Sequence, residues 1–228
     1  EIDGQYLVAI EEIVAPDADA AQHFARAEDA AQAQRAFRRE EVAVFPPFTD
    51  LRSAQTLIDA EKFEISLGAQ DISKHDSGAF TGEISGAFLA KLACKFVLIG
   101  HSERRQNHAE TDEVVQAKVA AAWKHGLVPI ICVGETLEEL ETQGQSAVPV
   151  AQTIAALSGH ETLGEFVIAY EPVWAIGTGK TASPEQAQQV HALLRAQLKA
   201  VFTKMRCNRQ NQLAAMVLQS PAVKWLDS

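Results

Sequence analysis

The chain has 228 residues, of which 47% are hydrophobic and 22% charged, and its formal net charge at pH 7 is −10. This composition is ordinary for a soluble globular protein, and the acidic balance argues against nucleic acid or an anionic membrane surface as partner. The three cysteines, Cys94, Cys132 and Cys207, provide no disulfide framework and fit a reducing cytoplasm. We expect no membrane span and no secretory signal, because no apolar run is long enough and the first residues are not cationic.

Short apolar segments alternate with helical patterns along most of the chain. Strands are predicted at 6–14, 42–45, 63–69, 95–100, 127–134 and 166–170. Helices are predicted over 19–39, 82–92, 111–125 and 211–219. Three more helices are predicted from their start signals: one after the N-cap Thr49, one after the capping box of Thr136 and Glu139, and one from Ser183 and Pro184 to about 201. Repetition of a strand and a helix at intervals of about 30 residues predicts βαβ units around a parallel sheet.

Two chemically active side chains directly follow predicted strands. His101 follows 95–100 and Glu171 follows 166–170, and a parallel sheet places its chemistry at the carboxyl ends of its strands. A neutral imidazole can donate a hydrogen bond to a carbonyl oxygen, and a carboxylate can act as a general base. A single histidine after a strand is more often structural, and a single glutamate before proline is usually a solvated loop residue. Their equivalent positions in two βα units favour an acid–base site.

The segment after Glu171 has the composition of a mobile lid. Pro172 and the bulky pair 173–174 lie at one end, and Gly177 and Gly179 at the other. A lid that excludes water makes a carboxylate a stronger base toward a carbon acid. The stretch GTGKT (177–181) also resembles the end of a P-loop. That pattern requires glycine where this chain has Trp174, so we reject nucleotide binding.

Four segments resemble the triosephosphate isomerase family and occur in the family's order. They are GAQDISKHDSGAFTGEISGAFL (68–89), LIGHSERR (98–105), CVGETLEE (132–139) and AYEPVWAIGTGK (169–180). The resemblance covers about residues 41–200, whereas 1–40 and 201–228 diverge. It implies a single α/β domain over 1–228, a TIM (β/α)8-type barrel that is incomplete. About six βα units are recognisable, and the C-terminal units are missing or replaced.

The resemblance also implies the chemistry of the site. Glu171 would transfer a proton between neighbouring carbons to interconvert dihydroxyacetone phosphate and D-glyceraldehyde 3-phosphate, and His101 would stabilise the enediolate. Glu103 would pair with a cation of the substrate site, Ser102 would lie beside the imidazole, and the Gly177 amide would bind the phosphate. The lid over this phosphorylated triose would comprise Pro172, Val173, Trp174, Ala175, Ile176, Thr178, Gly179 and Lys180.

The same resemblance implies a homodimer, a cytoplasmic location in glycolysis and gluconeogenesis, and no metal or cofactor. Thr81, Gly82 and Glu83 would form the tip of a loop that inserts into the second subunit. Cys132 would lie near the base, although a small buried apolar residue accounts for it equally well.

The two ends of the chain depart from the family's pattern. Residues 1–40 contain no lysine, whereas the family has an Asn-x-Lys at the end of its first strand. No glycine follows residue 200, whereas the family binds phosphate with glycine-rich turns there. These departures leave open an alternative, a catalytically impaired or truncated relative without isomerase activity.

Overall fold

Seven parallel strands in chain order form one sheet. The computed structural model describes residues 10–11, 42–176, 186, 189–190, 192–196, 198 and 216–218. The strands are β1 Ile10–Glu11, β2 Val42–Val44, β3 Ile65–Ala69, β4 Phe96–Ile99, β5 Val128–Val133, β6 Val167–Tyr170 and β7 Met216–Leu218. Within the described ranges β1 and β7 are the edges of the sheet, which confirms the predicted α/β barrel architecture and its incompleteness.

Helices follow the strands as the sequence predicts. They are α1 Leu51–Glu61, α2 Gly86–Lys91, α3 Ser102–Asn107, α4 Asp112–Lys124, α5 Leu137–Gln143 and α6 Ala147–Leu157. Residues 186, 189–190, 192–196 and 198 are also helical, in agreement with the helix predicted to about 201. The predicted helix over 19–39, the cap at 183–184 and Cys207 lie outside the described residues. No helix in the described part of the chain has the length and apolarity needed to cross a bilayer.

Local capping chemistry explains where several helices begin and end. The predicted capping box of α5 is confirmed, with Thr136 and Glu139 bonding each other's backbone N–H groups. The helix α4 ends at Lys124 with His125 as its C-cap, and Gly126 follows with φ 73°, a left-handed conformation that glycine adopts without strain. The predicted N-cap Thr49 is wrong by one residue, because Asp50 precedes α1, and the Asp50 side chain makes no capping hydrogen bond.

The prediction of a helix over 211–219 is wrong where the structure describes it. Residues Met216–Leu218 form β7, which pairs with Ile168, Ala169 and Tyr170 of β6. An apolar run this short is compatible with either a helix or a strand. Pairing with the free backbone groups at the edge of β6 stabilises the strand. The sequence also did not separate α6 from the capping-box helix α5.

Each central strand contributes to two apolar cores, because alternate side chains face opposite sides of the sheet. The inner face carries Ala43, Phe45, Phe96, Leu98, Val128, Ile130, Cys132, Val167 and Ala169. The outer face, which includes Val97, Ile99, Ile131, Ile168 and Tyr170, packs against the helices. Cys132 is therefore a buried residue of the inner core, in agreement with its apolar interpretation.

Candidate active site

The structure brings His101 and Glu171 into contact. The imidazole Nε2 lies 3.2 Å from Glu171 Oε1, and both residues are buried. Ser102 completes the cluster, because its hydroxyl donates to Oε1 at 2.8 Å and its backbone N–H donates to Oε2 at 3.2 Å. The carboxylate is thus held by three donors at the carboxyl ends of β4 and β6, where an acid–base site was predicted.

Backbone geometry explains why these two side chains converge. Glu171 continues the inward alternation of Val167 and Ala169 on β6. On β4 the alternation would direct His101 outward, but Gly100 intervenes with φ 74° and redirects the chain. The end of β5, the strand between β4 and β6, must also lie close to Glu171, because a Cβ atom added to Gly134 would be 1.7 Å from the Glu171 carbonyl oxygen. Only glycine allows this approach.

The hydrogen bonds of His101 define its tautomer. His101 caps α3, and its Nδ1 accepts the backbone N–H of Glu103 at 3.3 Å. Because Nδ1 accepts, the ring is neutral and its single proton is on Nε2. The N–H group of Nε2 then points to the Glu171 carboxylate, on the side where a substrate carbonyl would have to be polarised. The side chain of Glu103 itself is exposed.

The described part of the predicted lid is anchored to a buried carboxylate, Glu135, which follows β5. Residues 173–175 form a 3₁₀ turn, and within it Trp174 is buried. The Trp174 indole donates to Glu135 Oε1 at 3.0 Å, and the Tyr170 hydroxyl donates to the same oxygen at 2.7 Å. Ile176 is exposed, and Gly177, Thr178, Gly179 and Lys180 lie outside the described residues.

Burial changes the acid–base properties of this anchor. Glu135 is fully buried, and the loss of solvation raises the pKa of its carboxyl group, against the opposing effect of the Tyr170 and Trp174 hydrogen bonds. Loss of solvation likewise raises the pKa of the Tyr170 hydroxyl, and the Glu135 carboxylate beside it acts in the same direction. Tyr170 therefore remains a hydrogen-bond donor throughout the physiological pH range.

A network of four charged residues supports the histidine side of the site. Lys118 Nζ contacts Asp71 at 2.5 Å and Glu110 at 2.6 Å. Arg104, which lies on the same short helix as Ser102, contacts Asp71 at 3.0 Å and Glu110 at 2.6 Å. Sequence analysis missed this network. Its signals were Arg104 within the SERR motif and Asp71 at the end of the strand predicted over 63–69, but nothing in the sequence joins these two residues to Glu110 and Lys118.

The predicted dimer residues Thr81, Gly82 and Glu83 form the exposed tip of the loop 72–84. The Ser73 N–H donates to the Ile84 carbonyl oxygen at 2.8 Å and closes the base of the loop. Within the loop, the rings of His75 and Phe80 stack with centroids 3.7 Å apart. The loop therefore has a defined conformation, and Thr81 and Glu83 at its tip line a cavity together with Arg104, Glu110 and Lys118 of the charge network.

The fold and the site together define a class: a parallel α/β protein of the TIM-barrel type that carries an imidazole–carboxylate pair at its strand ends. The family model for triosephosphate isomerase matches residues 15–212. This match extends beyond the 41–200 over which the motifs alone indicated the resemblance. The chain belongs to the triosephosphate isomerase family.

Individual relatives agree with this assignment. A triosephosphate isomerase of Leifsonia xyli subsp. xyli is 64% identical over 160 residues, which are 70% of this chain and 62% of the relative. Those of Saccharopolyspora erythraea and Mycobacterium tuberculosis are 56% and 54% identical over 173 and 167 residues, covering 75% and 72% of this chain. The matched part spans 66% and 64% of these two relatives, so the chain covers less than two thirds of their length.

Proposed function

We propose that this chain carries the proton-transfer site of a triosephosphate isomerase, which interconverts dihydroxyacetone phosphate and D-glyceraldehyde 3-phosphate. The observation that carries the proposal is the contact between the neutral His101 imidazole and the Glu171 carboxylate, beside the hinge of a lid. The names of the relatives and the family match support the same substrate. Nothing favours the impaired alternative.

In the proposed reaction, Glu171 is the base and His101 is the electrophile. The substrate carbonyl oxygen replaces the carboxylate as the acceptor of the His101 Nε2–H group. The released carboxylate removes a proton from the carbon next to the carbonyl, which gives an enediolate whose charge the imidazole N–H stabilises. His101 Nε2 gives its proton to the former carbonyl oxygen and takes up the proton of the neighbouring hydroxyl, while Glu171 returns its proton to the neighbouring carbon. One carbon is oxidised and its neighbour is reduced within the same molecule, so the reaction needs no co-reactant.

The remaining predicted site residues have supporting roles in this proposal. Ser102 holds the carboxylate in the substrate-free arrangement. Glu103 fixes the imidazole tautomer through its backbone N–H, and its side chain pairs with a substrate-site cation. The Gly177 amide binds the phosphate, and the lid from Pro172 to Lys180 excludes water from the enediolate.

A coupled isomerase assay on the purified chain tests the proposal, with His101→Gln as the diagnostic variant. Glutamine retains a donor but places it differently, so we expect kcat to fall by about 10²–10³-fold, the usual loss for a misplaced oxyanion donor. His160→Gln, on the turn after α6, is the matched control and should leave kcat unchanged. Turnover of the unaltered chain no faster than that of His101→Gln would contradict the proposal.

We further propose that the protein acts as a cytoplasmic homodimer and that the loop 72–84 contributes to the interface. Phe80 on this loop and Phe88 on α2 are 42% and 58% exposed, unusually high for aromatic residues. Phe88→Glu should convert the dimer to monomers in sedimentation velocity. Leu137→Glu, at an exposed apolar position on α5, should leave the dimer intact. A monomeric parent chain at micromolar concentration would exclude the dimer.

A further inference from the structure

Arg105 holds the backbone on both sides of His101. Its side-chain Nε donates to the carbonyl oxygen of Gly100 at 2.8 Å, and its backbone N–H donates to the carbonyl oxygen of His101 at 3.1 Å. These two carbonyl groups belong to the planar peptide units that precede and follow the His101 Cα atom. One arginine therefore restricts both backbone torsions of the residue from which the imidazole projects.

The Gly100 carbonyl needs a donor because of where it lies. Gly100 is buried directly after β4, and its φ of 74° turns its peptide group away from the extended course of the strand. A buried carbonyl oxygen without a hydrogen bond would be costly. A Cβ atom added to Gly100 would lie 2.9 Å from Val115 Cγ2 and 3.1 Å from Arg105 Nη2. Val115 and the guanidinium group therefore pack directly against the Gly100 backbone.

A carboxylate in the first turn of α4 holds the guanidinium group in place. Arg105 Nη1 donates to Asp112 Oδ1 at 2.7 Å, and the Arg105 side chain is 18% exposed. Because the guanidinium plane is rigid, the bond to Asp112 also orients the Nε–H group toward Gly100. Asp112 lies in the first turn of its helix, where the helix dipole favours a carboxylate. The contacts thus run from α4 through Arg105 to the backbone at His101.

We propose that Arg105 is a positioning residue for the His101 imidazole. The His101 Nε2 atom lies 3.2 Å from Glu171 Oε1, and a displacement of about 1 Å at a reacting centre costs about 10²-fold in rate. Arg105 acts through the backbone of His101 and not on the substrate. Its expected effect on turnover rests on the proposed isomerase function. Its effect on the imidazole does not, since that effect depends only on the contacts of Arg105.

Arg105→Met tests this proposal, because methionine fills much of the space of the arginine stem but donates no hydrogen bond. Gln106→Met, at the exposed next position on α3, is the matched control. In the coupled assay we expect kcat to fall by about 10–10²-fold in Arg105→Met. KM should stay unchanged, because the lost contact does not bind the ground-state substrate. Gln106→Met should keep the kcat and KM of the parent chain.

The position of the imidazole can be measured without turnover. In the nitrogen NMR spectrum of the histidine-labelled chain, the signals of His101 are identified by their absence in His101→Gln. We expect these signals to shift in Arg105→Met and to remain at the parent values in Gln106→Met. Arg105→Lys keeps the positive charge but loses the rigid fork that reaches both Gly100 and Asp112. It should therefore shift the same signals in the same direction by a smaller amount.

The outcomes separate positioning from general stability. A lower kcat and shifted His101 signals, at an unchanged midpoint of urea unfolding, support the proposal. Shifted signals in a chain whose parent shows no turnover also support it, and then only the proposed isomerase function fails. Parent-like signals in Arg105→Met overturn the proposal, as does a loss of kcat that a lower unfolding midpoint accounts for. If Arg105→Met does not fold, parent-like signals in Arg105→Lys overturn it.

Discussion

Replacing Glu171 by aspartate is expected to lower kcat by about 10²–10³-fold in the proposed isomerase reaction, and replacement by glutamine by about 10³-fold or more. Aspartate keeps the carboxylate but withdraws it by one methylene group, and a displacement of about 1 Å at the reacting centre costs about 10²-fold. Glutamine removes the base altogether, which forfeits a general-base contribution of about 10²–10⁴-fold.

Both variants should retain the fold, because a shorter carboxylate or a neutral amide can still receive hydrogen bonds from the donors around residue 171. The Ser102 hydroxyl can rotate to a new acceptor, and Glu171 is not part of the four-residue charge network. Glu141→Gln, an exposed carboxylate on α5, is the control of equal charge change and should leave kcat unaltered. If Glu171→Gln turned over substrate as fast as the parent chain, Glu171 would not be the base.

The parts of the fold that sequence predicted well are those determined by local patterns. Strands β2 to β6 are apolar runs that the helices cover, and the capping box at Thr136 is a short-range signal that the structure confirms. Prediction from sequence failed where tertiary pairing determines the secondary structure. β7 is a strand only because its backbone pairs with the edge of β6. The separate helix α6 was missed although the sequence carries signals for it, because Gly144 interrupts the polar run 141–146 and Ser146 is the N-cap of α6.

The residues of the site also divide into those that local sequence patterns predict and those whose contacts depend on the fold. His101 and Glu171 were found because each directly follows a strand, and parallel strands end at one edge of the sheet. Their register supports this, since Ile99 pairs with Ile131 and Ile131 pairs with Ile168, so that His101 and Glu171, two and three residues further on, lie at nearly the same level. The contact that anchors the predicted lid could not be found in this way, because Glu135 and Trp174 are 39 residues apart and their contact depends on a 3₁₀ turn.

Lys118 is the clearest case of a residue whose role sequence cannot reveal. A lysine within a helix is ordinarily solvent-exposed, yet Lys118 is 4% exposed and contacts two carboxylates. Those carboxylates are 47 and 8 residues away in sequence. The opposite pKa shifts of these two carboxyl groups also become visible only in the folded structure. Burial raises the pKa of Asp71, whereas the contacts of Lys118 and Arg104 outweigh burial and lower the pKa of Glu110.

Lys118→Met is expected to lower the free energy of unfolding by about 3–5 kcal/mol at pH 7, the usual result of removing one partner from a buried ion pair. Methionine fills the space of the lysine stem, so the loss reflects buried carboxylates left with Arg104 as their only remaining cation in the network. Lys124→Met is the control: Lys124 is on the same helix but 63% exposed, and its solvent-screened contact with Asp76 should contribute little to stability.

The pH dependence of this difference provides an independent check on its origin. Because the pKa of Glu110 is lowered in the folded state, its stabilisation is present above the ordinary value of 4.5 and is lost as pH falls through the lower folded value. Asp71 acts in the opposite sense: with its pKa raised by burial, the folded state favours its neutral form at low pH and loses stability as pH rises.

Without Lys118 both carboxylates become more costly to ionise. The difference between parent and Lys118→Met in urea unfolding should therefore be largest near pH 7 and should shrink below about pH 4.5. A difference independent of pH would mean that Lys118 stabilises the fold by packing alone.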